Sequence, residues 1–210
     1  MEHEKHEWKK QEKELYLPKA EPVSVKIPQM KYFTLTGKGN PNNNKDFQDK
    51  ISVLYSLSYA VRMMPKNGFI PNGYFEYTVY PLEGVWSLNE EKQKSEALNK
   101  DDFIYKIMIR QPDFVDNDVF KRALENAGKK KPSELLNEIR LEEIEDGLCV
   151  QMLHIGSYDS EKKSFEKIQK YIEDNGCRRS SLTHREIYIS DFTKTEPEKL
   201  KTVLRCFVCK

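Results

Sequence analysis

The chain has 210 residues, with 35 Lys or Arg against 34 Asp or Glu, so its formal net charge is +1. So even a balance gives no global field to draw the protein onto nucleic acid or an acidic membrane. With 38% hydrophobic residues and 33% charged ones, the composition is that of a globular domain and not of a disordered chain.

No apolar run approaches the ~18 residues of a membrane span, and the N-terminal MEHEKHEWKKQEKELY carries no apolar signal core. A cytoplasmic protein that is neither secreted nor inserted in a membrane is expected. Residues 1–20 read as a polar arm. VSVKIPQMKYFTLTGKG follows, rich in β-branched and aromatic residues and ending in Gly37 and Gly39, which predicts a strand stopped by a turn. In the loop NPNNNKD, Asn44 is placed to cap a helix. From Asp46 to Met64 the residues Phe47, Ile51, Leu54 and Val61 recur at helical spacing with Ser58 on the same face, and Pro65 and Gly68 end the run.

YFEYTVYPLEGVW predicts a strand over Tyr74–Val85, and DFIYKIMIRQP another. Residues 116–138 form a helical connector, with Val119, Phe120, Ala123, Leu124 and Ala127 inward and Gly128 near its end. Its GKKKP tail is too short for a nucleic-acid patch. In RLEEIEDGLCVQMLHIG the pair Asp146–Gly147 predicts a hairpin. Gly156 stops that strand, and a helix with Phe165, Ile168, Tyr171 and Ile172 inward precedes two last strands, HREIYIS and LKTVLRCFV.

The two halves therefore match in element order: strand, helix, strand, strand. Residues 21–115 and 139–210 read as pseudo-repeats of one domain spanning 21–210. The expected fold is α+β, a mainly antiparallel curved sheet with helices on one face and a central groove on the other.

Period-two alternation then assigns faces. Ile187 and Ile189 are expected beneath the helix, with Glu186, Tyr188 and Ser190 towards the groove. Tyr74, Glu76, Thr78 and Tyr80 share one face of the earlier strand, Trp86 continues it, and Glu76 takes the place that Glu186 has in the second half. Pro81 and Gly84 allow a bulge, and Glu83 is assigned to bracing the loop. Two readings stay open here. The face is simply wet, with ordinary exposed carboxylates, or its acids and rings together form a ligand groove, where flat contact area, cation–π attraction and charge neutralisation coincide.

Other groups point to less. Cys149, Cys177, Cys206 and Cys209 read as small buried hydrophobes in a reducing compartment, and the terminal CFVCK lacks the helix or second pair that redox or zinc chemistry needs. His154, at a strand end, suits a backbone hydrogen bond better than catalysis, and Tyr158 and Asp159 suit shaping its turn and capping the next helix. No metal site and no cofactor are expected.

YTVYPLEGVW, LHIGSYD and HREIYISDFTKTEPEKLKTVLR, in this order, resemble the standalone GyrI-like small-molecule-binding proteins, from about Leu15 onwards. The resemblance implies two fused strand–helix–strand–strand units around a groove for a planar hydrophobic or cationic small molecule. In related effector domains the Glu matching Glu186 meets cationic ligands between aromatic rings; joined to the face assignment above, this makes Tyr74, Glu76, Tyr80, Trp86, Glu186 and Tyr188 the expected ligand-binding residues. Some standalone relatives are similar to hydrolases that open cyclopropane rings of DNA-alkylating natural products; on that alternative Glu186 is the base and Tyr188 a hydrogen-bond donor. A further alternative is a ligand-sensing subunit of a transcription regulator. Direct DNA binding is not expected, because the residues before Val23 are too few for a winged helix. The resemblance leaves the oligomeric state open.

Overall fold

The computed structural model describes residues 4–41, 44–88, 103–131 and 133–210. Its elements run α1 (Trp8–Gln11), α2 (Lys13–Tyr16), β1 (Val23–Lys38), α3 (Lys45–Arg62), β2 (Leu82–Leu88), β3 (Phe103–Gln111), α4 (Asn117–Lys130), β4 (Arg140–Ile155), α5 (Lys162–Asp174), β5 (Arg178–Tyr188) and β6 (Lys201–Cys209). Strand–helix–strand–strand occurs twice. In space the first unit is ordered β1-β3-β2 and the second β4-β6-β5, and the units join through β2–β5 and β1–β4, every pairing antiparallel. The curved sheet thus goes further than the sequence suggested and closes into a barrel, in which each described strand has a neighbour on both sides.

Local chemistry sets the helix ends. The Asn44 side chain accepts from Phe47 N at 3.3 Å, capping α3, and the Asp116 carboxylate accepts from Asp118 N and Val119 N to cap α4. Helix α3 buries Phe47, Val53, Leu54, Leu57 and Val61 in the cluster that holds Phe33, Leu35, Ile107 and Ile109. Helix α5 lays Ile168 and Ile172 on Val150, Met152, Leu204 and Cys206. Both helices therefore cover the outside of the barrel.

The inside is charged. Arg185 is 1% exposed and donates to Glu83 Oε2 at 2.9 Å and Asp146 Oδ1 at 2.6 Å, its guanidinium 5.2 Å from the Tyr32 ring centroid. Arg205, equally buried, donates to Gln151 Oε1 at 2.9 Å. Such charges persist in an interior only when paired and hydrogen-bonded.

Three expectations are corrected. The strand expected over Tyr74–Val85 begins only at Leu82: Pro81 offers no N–H to a ladder, and Tyr77 and Tyr80 turn into the core instead. Asp146–Gly147 is not a hairpin. It lies inside β4, whose ladder with β1 runs from Gln151↔Val23 to Arg140↔Thr34, and Asp146 is held there by Arg185. Glu83 does not brace a loop but is buried in the barrel.

The segment expected as a polar arm is docked. His6 N donates to Glu76 O and Thr78 N to His6 O, while Trp8, 4% exposed, donates from Nε1 to Val79 O at 3.0 Å. Gln151 donates to Glu14 O and Arg205 to Leu15 O, so side chains of the barrel interior hold the segment over one end. Glu12 receives hydrogen bonds from Arg110 and from Tyr80 Oη, the latter at 2.7 Å. Burial alone would raise the Glu12 carboxyl, but the Arg110 charge and the hydrogen bonds from Tyr80, His6 and Arg110 outweigh it and hold it below its ordinary value.

A depressed folded-state value means that this stabilisation is in full force above the ordinary carboxylate value of 4.5 and is lost as pH falls through the folded value. Glu12→Gln is expected to cost about 1–3 kcal/mol near neutrality, with the difference from the parent vanishing in strong acid. Denaturant melts across pH test this, and a gap that stays constant into acid contradicts it.

Candidate functional site

Where β2 and β5 meet, the outer barrel face carries a cavity of about 290 Å³. It lies between the first turns of α3 and α5, so the groove is on the helix-bearing face and not, as expected, on the opposite one, which is sealed as the barrel interior. The first unit supplies a nearly apolar wall: Pro41, Phe47, Leu82, Trp86 and Phe103, with Gln48 as its polar member. The second supplies the polar one, with His184, Glu186 and Tyr188 from β5 and Tyr158, Asp159 and Glu161 before α5, together with Phe165 and Phe192.

The cross-strand register explains the floor. Glu186 faces Gly84, and His184 faces Trp86. A Cβ on Gly84 would stand 2.9 Å from Trp86 Nε1 and 3.2 Å from Tyr188 Oη, so this glycine is what lets those two groups meet above it. They meet at 2.9 Å, Trp86 Nε1–H donating to Tyr188 Oη. Tyr188 O–H then donates to Glu186 Oε2 at 2.8 Å. The other carboxylate oxygen, Oε1, lies 2.9 Å from His184 Nε2. An ionised carboxylate only accepts, so this imidazole nitrogen carries the proton. The carboxylate is thereby held on both oxygens.

Rings fix the walls. Trp86 packs against Phe47, Phe103 and Tyr105 at centroid distances of 5.9, 5.8 and 5.4 Å. Phe165 meets His184 edge-on at 4.8 Å, and Tyr158 meets Tyr188 edge-on at 6.1 Å. Burial, then the nearby Glu186 charge, pushes the Tyr188 phenol well above its ordinary value, and the same causes raise Tyr158. Both rings therefore stay protonated and able to donate.

Of the residues expected at the site, the structure brings Trp86, Glu186 and Tyr188 together. It does not bring Tyr74, Glu76 and Tyr80 to them. Tyr74 Oη donates to Arg62 O at 3.1 Å, Glu76 lies exposed 3.7 Å from Arg62 Nη2, and Tyr80 is buried beneath the N-terminal segment with Arg110 over its ring at 4.5 Å. The strand that would have aligned them with Trp86 does not exist before Leu82. Tyr188 also differs from its expected role, because its hydroxyl proton is committed to Glu186.

His184, Phe47, Phe103, Phe165 and Phe192 were missed. His184 alone had a signal, sitting two residues before Glu186 on the same strand face; the others arrive from separate elements. Tyr158 and Asp159 line the cavity. His154 staples the preceding turn, 2.9 Å from Ser164 Oγ and 3.1 Å from Ser157 O. Cys149 and Cys206 are buried, and burial pushes the Cys149 thiol up to about 12. Among the described residues no three His, Cys, Asp or Glu side chains group to hold a metal ion.

Gly84→Ala is expected to separate Trp86 from Tyr188 with the barrel intact. Trp86 emission and the near-ultraviolet dichroism should shift while the far-ultraviolet spectrum holds, and an unchanged Trp86 environment contradicts the crowding argument.

The profile of the GyrI-like small molecule binding domain matches residues 20–205. Among solved structures, a hydrolase from Listeria innocua is 33% identical at a TM-score of 0.88, with 98% of this chain and 100% of that one covered. An uncharacterized conserved protein from the same organism is 35% identical at a TM-score of 0.90 with the same coverage. The EcmrR C-terminal domain shares 15% identity at a TM-score of 0.53, covering 90% of this chain and 98% of that one, a likeness of fold alone. No curated protein sequence matches. With its profile matched over most of its length, on a barrel whose outer seam holds an aromatic cavity, the chain belongs to the GyrI-like small-molecule-binding domain family.

Proposed function

We propose that the cavity at the β2–β5 seam binds a planar, mostly apolar small molecule, with a preference for cations set by Glu186. The observation that carries this is the carboxylate gripped on both oxygens among rings. A group oriented before any ligand arrives needs little reordering on binding, and rings supply flat contact area at low entropic cost. Four free cysteines fit a reducing compartment, and we place the protein in the cytoplasm.

Hydrolysis is the second reading, favoured by the likeness to Listeria innocua hydrolases, 33% and 34% identical, over 98% of this chain. The substrate class is a planar dienone carrying a fused cyclopropane. Water attacks the ring methylene and forms a C–O bond. The C–C bond that breaks sends its electron pair through the ring to the carbonyl oxygen, making an aromatic phenolate, which takes its proton from solvent. Glu186 accepts the proton of the attacking water; Tyr188 and His184 hold the carboxylate in line, and Trp86 orients the flat substrate.

Glu186→Gln is expected to weaken a planar cation by about tenfold or more, the effect of a charge-assisted contact, while a neutral planar ligand changes little. Isothermal titration of both ligands checks this, and equal cation affinity in parent and variant refutes the charge role. For turnover, general-base assistance of roughly 10²–10⁴-fold should be lost in Glu186→Gln. Chromatography of products formed in oxygen-18 water measures it, and label at the enzyme-free level across several cyclopropane substrates leaves a binding protein alone.

A further inference from the structure

We propose that His184 is a specificity-determining residue of this cavity: the charge state of its imidazole sets how strongly Glu186 selects cations over neutral planar molecules. The inference rests on the binding reading above and deepens it.

His184 Nε2 sits 2.9 Å from Glu186 Oε1, with the two side chains 22% and 11% exposed. A neutral imidazole donates one hydrogen bond and leaves the carboxylate charge uncompensated for a ligand. A protonated one forms an ion pair with the same oxygen and removes most of the field that a bound cation would feel. Imidazole is the side chain whose charge ordinarily changes between pH 5 and 8. The switch therefore lies in the floor of the site itself.

The surroundings leave this role to His184. On its own strand face it meets Glu186, whose other oxygen is held by Tyr188, while Arg185 turns into the barrel and is paired there with Glu83 and Asp146. Across β6 its register partner is Cys206, a buried thiol that burial pushes up. Across β2 it faces Trp86, which does not titrate. From the α5 side come Phe165, which packs edge-on against the ring, and the lining residues Tyr158, Asp159 and Glu161; from α3 come Phe47 and Gln48. No Lys or Arg lines the cavity among the described residues, so His184 is the one lining group there able to become positive. Phe165 also fixes the ring plane, keeping the nitrogen on the carboxylate.

The test measures dissociation constants of ethidium, a planar permanent cation, and Nile red, a neutral planar dye, at fixed ionic strength between pH 8.0 and 5.5. The intact chain is compared with His184→Gln, which keeps a neutral donor but cannot charge, and with His184→Arg, which is charged throughout. In the parent, ethidium affinity is expected to fall by about tenfold towards pH 5.5 as the opposing charge appears, with Nile red affinity steady within about twofold. His184→Gln should hold the tight ethidium affinity at every pH, and His184→Arg the weak one. A pH slope that survives unchanged in His184→Gln, or no slope in the parent, overturns the role of His184 while leaving the cavity as a binding site. If the parent takes up neither dye, the binding reading itself fails and takes this inference with it. Far-ultraviolet dichroism and thermal melts report on folding of the variants, because His184 lines the cavity and its replacement can change uptake of both dyes in a folded chain. The ratio of ethidium to Nile red affinity is the quantity compared, and a folded His184→Arg whose ratio equals that of His184→Gln also overturns the role.

Discussion

Arg185 holds the centre of the molecule. Its guanidinium spans Glu83 of β2 and Asp146 of β4 from its own place on β5, so one buried side chain ties together three strands and both units. The network is costly to bury and hard to replace piecemeal, since removing one member strands another charge in a dry interior. Strand alternation gives it a second consequence. With Arg185 fixed inward, His184 and Glu186 must point outward, side by side, and Glu83 inward leaves Gly84 outward beneath them. A one-residue slip of β5 on β2 would expose the arginine and bury the acid of the cavity. The core charge thus fixes the register that makes the site.

The duplication decides where that site lies. Each unit brings three strands and one covering helix, and two units joined edge to edge leave their helices apart at the seam. The gap between α3 and α5 is the cavity, with one wall from each unit. Because the units share topology and not residues, the walls differ: Phe47, Trp86 and Phe103 on one side, His184, Glu186 and Tyr188 on the other. A bound molecule meets an apolar wall and a polar wall across a narrow space, which selects flat ligands with one polar edge.

Much of this was legible in the sequence, and the rest failed for identifiable reasons. Periodicity located α3 and α5, Asn44 marked a helix start, and alternation in HREIYIS put Glu186 and Tyr188 together. The failures came where local pattern competes with distant contacts. Tyr74–Tyr80 alternates like a strand, yet Trp8 and His6 from the N-terminal segment claim its backbone and turn its rings inward. Asp146–Gly147 carries hairpin chemistry, but a long ladder with β1 and the pull of Arg185 override it. Barrel closure depends on β1 finding β4, which no window of residues records. Phe47, Phe165 and Phe192 approach the cavity from three separate elements, so only the fold shows them as neighbours.

The docked N-terminal segment bears on how the chain reaches this state. Leu15 O accepts from Arg205, a partner 190 positions away in sequence. Gln151 and Leu153 of β4 hold Glu14 and Lys19 in the same manner. Each contact closes a very long loop, whose entropy must be spent before the contact returns anything. The hydrogen bonds of Glu14, Leu15 and Lys19 therefore wait for the second unit, whereas Trp8 meets Val79 and Tyr16 meets Tyr80 within the first. Folding should finish with a slow, late docking of the stretch from Glu14 to Lys19 onto β4 and β6, a seam between first and last parts of the chain that closes only once the second unit has formed.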